Sequence, residues 1–241
     1  MWGLSDVFRR VFRTGSPTTI ITVACIGVYV VSLVLDPAAA MRPRGPFEIF
    51  SPSNRALQAL GATGSIFWAH GDWWTLFSAI YLHGGILHIL FNVLWIRQLG
   101  PAVEELYGPA RFFVIFTVAG AVGFLVSNLV GIPLTVGASG SIFGLLGAMV
   151  AFGRRRGGAF GTMVLRQYGQ WALLLFVFGF FMSGVNNVAH LGGFVGGLAA
   201  GLIMSLAERR AETTLDHLLA AACIVVTALS FGLALYTYVA T

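Results

Sequence analysis

Between Arg111 and Arg154 lie 42 consecutive residues with no Asp, Glu, Lys or Arg. As one α-helix this stretch would be about 63 Å long, roughly twice the ~30 Å hydrocarbon core of a bilayer. It is therefore expected to cross twice, with the break at Gly131, Pro133 and Gly137, where Pro and Gly punctuate the helical pattern. A second uncharged stretch of 41 residues, from Arg166 to Glu208, predicts another hairpin that turns near Gly184, Asn186 and Asn187. Thr18 to Leu35 and Leu218 to Val239 supply one uncharged span each, and Trp74 to Ile96 a further one. Composition agrees: 57% of residues are hydrophobic and 10% charged, against about 45–50% and about 25% in soluble domains. The expected fold is an all-α polytopic transmembrane helix bundle of about seven spans, with no repeat and no soluble domain.

The net charge of +5 arises from 14 arginines, without a lysine, against nine acidic residues. Arg and Lys near span ends are retained on the cytoplasmic side. A cytoplasmic N-terminus places eleven arginines inside, including Arg9, Arg10, Arg13, Arg97, Arg154 and Arg209, and only Arg42, Arg44 and Arg55 outside. The basic charge is thus a topology signal with some attraction to anionic lipid, and nucleic acid is excluded as a partner. The chain divides into a short cytoplasmic segment (1–17), a membrane core (18–207) with an external loop (36–72), and a linker with an additional C-terminal span (208–241). Within the loop, Ala56 to Ala69 is apolar but too short to cross, and is expected to lie in the membrane interface. Met1 to Arg13, the following apolar run and Ala38-Ala39-Ala40 imitate a signal peptide; the run of 18 residues exceeds an ordinary signal core, which favours an uncleaved anchor. Cys25 and Cys223 lie within apolar runs and read as small buried hydrophobes.

Ionisable and amide side chains inside spans are the informative ones in a membrane protein. His88 and Asn92 are four apart and share a helix face, whereas His83, five residues before His88, is expected to point away from it. Either could be hydrogen-bonding glue between helices. Gly137-Ala138-Ser139-Gly140 stands at the outer break of the first hairpin, and His190 just after that of the second. Counting back from Arg154, Ser139 lies about 22 Å along its helix, about 8 Å below the outer boundary, and His190 is at a comparable depth. A serine hydroxyl is a weak nucleophile until a base takes its proton, so this pair supplies the minimum for acyl transfer. His190, Gly193 and Gly197 form one small-residue stripe, and Gly140, Gly144 and Ala148 a second; stripes of this kind serve close packing. A helix that begins at Ser139 also aims free N–H groups and its positive dipole end at the serine, where an oxyanion would develop. His88 and Asn92 could add side-chain donors.

These residues resemble the motifs of the rhomboid intramembrane serine proteases. Gly137-Ala138-Ser139-Gly140 is similar to that family's GxSG motif, and Ala189-His190 with Gly193 and Gly197 to its histidine motif. His83, His88 and Asn92 match its HxxxxHxxxN pattern, and Glu104 with Gly108 resembles its acidic turn. The resemblance runs from about Trp73 to Ala207 and implies a six-helix core plus one C-terminal helix. It implies Ser139 as nucleophile, His190 as general base without a third carboxylate, and His88, Asn92 and the Ser139 N–H as an oxyanion hole. His83, Gly137, Gly140, Phe143, Gly193 and Gly197 would support the site. Two departures stand out. Trp73-Trp74-Thr75 replaces the family's Trp-Arg, and Phe143 stands where many members carry Tyr against the catalytic histidine.

The implied partners are transmembrane protein substrates and the lipid bilayer, in a bacterial-type plasma membrane. No cofactor and no metal are implied. Three rivals compete. A metal-dependent hydrolase using His83, His88 and His190 would need carboxylates behind its ligands, and Asp72 is the only nearby external one. An inactive client-binding relative would be expected to lack Ser139 or His190. A channel or transporter leaves the convergence of those two residues as coincidence.

Overall fold

The computed structural model describes residues 15–42, 50–182, 184–204, 206 and 210–240. Arg9, Arg10, Arg13, Arg44, Glu208 and Arg209, which entered the charge argument, lie outside the described residues, as does most of the N-terminal segment. Seven long helices make up the described chain: α1 (Pro17–Leu35), α2 (Ile86–Tyr107), α3 (Pro109–Leu129), α4 (Ser139–Arg156), α5 (Gly158–Gly179), α6 (Asn187–Ile203) and α7 (Thr214–Ala240). Helices α1, α2, α3 and α7 are each long and apolar enough to cross a membrane by themselves. The protein is an all-α membrane bundle.

Helix α4 is its axis. It packs against α3, α5 and most extensively α6, and nearly every residue from Gly140 to Gly153 is buried. Glycine makes this packing possible. A Cβ on Gly193 would sit against the Gly140 carbonyl, one on Gly197 against the Gly144 carbonyl, and one on Gly201 against Ala148. The two small-residue stripes therefore face each other, backbone on backbone. Because α4 runs from Ser139 to Arg156, the bundle has a serine end and an arginine end.

At the arginine end, charged and polar side chains tie the helices together. Glu104 accepts from the Thr18 amide (2.6 Å) and hydroxyl (2.9 Å), which joins α2 to the start of α1. Tyr107 donates to the carbonyls of Ala148 (2.9 Å) and Gly201 (3.2 Å), bridging α4 and α6. Arg155 donates to the Gly201 and Met204 carbonyls, which the end of α6 leaves open. Arg111, 1% exposed, pairs with Asp216 of α7 at 2.8 Å and donates to the Arg210 and Ala211 carbonyls. Glu212 accepts from the amides of Ala110 and Arg111, satisfying the first turn of α3.

The serine end is covered by residues 50–82. Two short helices, Asn54–Ala59 and Ser65–Ala69, lie there, and the Thr63 and Thr135 backbones exchange hydrogen bonds. Part of the apolar surface of this segment turns inward, while Ile66 remains exposed. Leu57, Leu60, Ala62 and Leu82 form their own buried cluster against Val28 of α1 and Leu134 and Val136 of the loop before α4.

Three expectations need correction. The span expected over Trp74–Ile96 is α2 at Ile86–Tyr107, preceded by a short helix at Thr75–Ser78 and a 3-10 turn at Ala79–Tyr81. Extended Leu82 and the Gly84-Gly85 pair interrupt the helical pattern. Arg97 consequently lies in the middle of α2, where it donates to Thr19, rather than at a span boundary. Arg166 likewise lies inside α5. That helix starts already at Gly158, because Gly157 and Gly158 at φ +64° and +63° reverse the chain within two residues.

Candidate active site

Ser139 is the first residue of α4 and no side chain caps that helix start. The loop before it is held from outside, since the Gly137 amide donates to the Ala79 carbonyl at 2.9 Å. Gly137 must be glycine for two reasons: its φ is +125°, and a Cβ there would lie 2.7 Å from Cε1 and Nε2 of the His88 ring. The first N–H groups of α4 have no intrahelical acceptor, so the helix presents donors and its positive end at the serine.

His190 comes from α6, whose start is fixed by Asn186. That side chain accepts from the Ala189 amide (3.0 Å) and donates to the hydroxyls of Ser127 (2.6 Å) and Thr135 (3.1 Å). Asn186 thereby joins the start of α6 to the end of α3 and to the loop that leads into Ser139. Nε2 of His190 lies 2.8 Å from Ser139 Oγ. The ring stacks on Phe143 at a centroid distance of 4.3 Å and an interplanar angle of 14°. Phe143 thus supplies a stacking surface, and the missing tyrosine hydroxyl is not needed for it. His190 is 7% exposed. On its other side, Nδ1 lies 3.2 Å from Asn187 Oδ1.

His88 faces the serine loop. Its Nδ1 accepts from the Gly84 amide at 3.2 Å, which leaves Nε2 toward Gly137. Asn92 is buried and donates to the His88 carbonyl at 2.7 Å, while its Oδ1 has no hydrogen-bond partner. His83 departs from expectation. Since α2 does not reach back to it, its ring meets His88 edge-on at 5.1 Å instead of pointing away. It is fully buried, with Nδ1 against the Tyr81 carbonyl. Ser139, His190 and Phe143 thus converge directly, with His88 over the adjacent Gly137; Gly140, Gly193 and Gly197 lie in the α4–α6 seam beneath. Among the described residues no three His, Cys, Asp or Glu side chains converge as metal ligands would.

Asn186 and Asn187, which the sequence marks only as the break before α6, matter for this geometry. The available signal was spacing: an Asn three before a His shares its helix face, and an Asn just before a helix caps it.

Comparison with known proteins agrees with this architecture. The rhomboid domain model matches residues 70–207, more than half the chain. Rhomboid protease GluP of Bacillus subtilis is 38% identical over 162 residues, covering 65% of this chain and 31% of that protein. RHOMBOID-like protein 5 of Arabidopsis thaliana is 33% identical over 168 residues, or 66% of this chain and 52% of that one. Rhomboid protease GlpG of Salmonella choleraesuis is 30% identical over 203 residues, or 82% and 66%. This chain belongs to the rhomboid family. It spans about a third to two thirds of the length of these relatives.

Proposed function

We propose that the protein is an intramembrane serine protease that hydrolyses peptide bonds in or near transmembrane helices of other membrane proteins. The observation that carries this reading is the 2.8 Å approach of His190 Nε2 to Ser139 Oγ at the end of a membrane bundle. In the proposed reaction Ser139 Oγ attacks the scissile carbonyl carbon and its proton passes to His190 Nε2. The oxyanion that forms is held by His88 Nε2, the Asn92 amide and the N–H of Ser139. The same proton then moves to the leaving amine as the C–N bond breaks, and water repeats the sequence on the acyl-enzyme. The serine end faces outward in this reading, as the arginine distribution favours. Substrate helices would be cut where Gly, Pro or a polar residue lets them unwind, since a stable helix hides its amides.

The test uses full-length protein with a transmembrane substrate in proteoliposomes. Ser139→Ala and His190→Ala should each lower kcat by at least about 10⁴-fold with unchanged melting temperature, and the double variant should lose little more. A chelator should have no effect. Loss of activity on chelation, restored by zinc, would instead establish the metal-dependent reading.

A further inference from the structure

Asn187 lies three residues before His190, so one turn of α6 puts both side chains on one face. Its Oδ1 is 3.2 Å from His190 Nδ1, opposite the ring nitrogen that meets Ser139. Room for the amide comes from Gly179, the last residue of α5: a Cβ there would overlap Asn187 Oδ1. We propose that Asn187 is a positioning residue, whose side-chain carbonyl holds the imidazole proton on Nδ1 and so keeps the Nε2 lone pair directed at the Ser139 hydroxyl. This rests on the reading of Ser139 and His190 as nucleophile and base.

Donors and acceptors decide the tautomer. Neutral imidazole carries a single N–H, and an amide oxygen can only accept. Facing that oxygen, Nδ1 must be the protonated nitrogen, which leaves Nε2 able to take a proton. The opposite tautomer would set Nε2–H against the serine hydroxyl and could not act as a base. Stacking on Phe143 fixes the plane of the ring but does not distinguish a ring from its flipped counterpart. The bond to Asn187 does.

When the Ser139 O–H bond breaks and its Oγ–carbon bond forms, Nε2 gains the proton and the ring becomes an imidazolium. The Nδ1–H···Oδ1 bond is then charge-assisted and strengthens as the transition state develops. Collapse of the tetrahedral species breaks the C–N bond, returns the Nε2 proton to the amine, and restores the neutral ring with its proton still on Nδ1. An amide serves better here than a carboxylate, because it accepts without bringing a charge into the membrane.

The experiment compares Asn187→Leu, of similar size and without an acceptor, and Asn187→Asp, which has only acceptors, in full-length protein. Melting temperature, kcat, KM and the ¹⁵N resonances of His190 are measured together. Asn187→Leu should lower kcat about tenfold, the rate equivalent of one lost orienting hydrogen bond, with KM unchanged and the Nδ1–H signature weakened. Asn187→Asp should keep that signature and kcat within about threefold of wild type. Should the leucine variant not fold, Asn187→Ala carries the same expectation. A folded acceptor-free variant with wild-type kcat and an unaltered His190 tautomer would overturn the proposal, as would an Asp variant as impaired as the Leu one. Ser139→Ala is the control: if it still cleaves substrate, the nucleophile reading fails, whereas an inactive Ser139→Ala beside a fully active Asn187→Leu removes only the role of Asn187.

Discussion

The two ends of this bundle are joined by different chemistry. At the arginine end most ties are ionic or charge-assisted, Arg111 with Asp216, Glu212 on the α3 amides and Arg155 on the α6 carbonyls, with Tyr107 the neutral exception. At the serine end they are neutral: Asn186 on Ser127 and Thr135, Asn128 on Thr63, and Thr75 on Thr63. A buried ion pair holds only while both partners and their extra hydrogen bonds are present, and it does not rearrange cheaply. Neutral hydrogen bonds between helices in a membrane average only about 0.6 kcal/mol, and each partner can exchange. The contrast is between a clamped end that keeps the bundle assembled and a more adjustable end that carries Ser139 and His190. Substitutions at the two ends should therefore separate turnover from stability.

The largest effect is expected at the serine end, on turnover. If His88 and Asn92 donate to the oxyanion, replacing either by Ala should lower kcat by about 10²–10³-fold, equivalent to about 2.7–4 kcal/mol, with KM nearly unchanged. Folded variants with normal kcat and a lowered melting temperature would reduce the pair to interhelical glue.

The next is at the arginine end, on stability. Asp216→Asn removes the carboxylate that pairs with the buried Arg111 guanidinium at 2.8 Å and should cost about 2–4 kcal/mol. Thermal unfolding and kcat measured on the same sample should show a lower Tm and near-normal turnover in the folded fraction. Equal loss of kcat would break the separation between the two ends. The smallest effect falls on one of the neutral ties of the serine end. Asn186→Ala removes a helix cap and two neutral bonds, and should cost about 1 kcal/mol of stability with a fewfold loss in kcat, read from the same two assays.

Much of this was legible in the sequence because the bilayer imposes lengths. The 42-residue uncharged stretch foretold α3 and α4 with their break, and small-residue spacing foretold the α4–α6 seam. Boundaries slipped at Arg166, because a charged residue can lie within a helix, and at Trp74, because apolar residues that bury against protein look like those that face lipid. His83 followed from that slip: a register counted along a helix fails once Gly84 and Gly85 end it. The convergence of Ser139 and His190 was readable as equal depth on two helices. The bonds of Asn186 to Ser127 and Thr135 were not, since they depend on where α3 ends and on the path of the loop before Ser139. The Arg111–Asp216 pair joins residues 105 apart, which no local periodicity reveals.

The central claim is that Ser139 is a nucleophile activated by His190, and it is tested most directly by a serine-reactive fluorophosphonate followed by intact-mass and peptide analysis. One adduct per chain is expected, on Ser139, absent in Ser139→Ala and formed far more slowly in folded His190→Ala. An adduct that persists in Ser139→Ala, or a His190→Ala variant labelled on Ser139 at the wild-type rate, would contradict it.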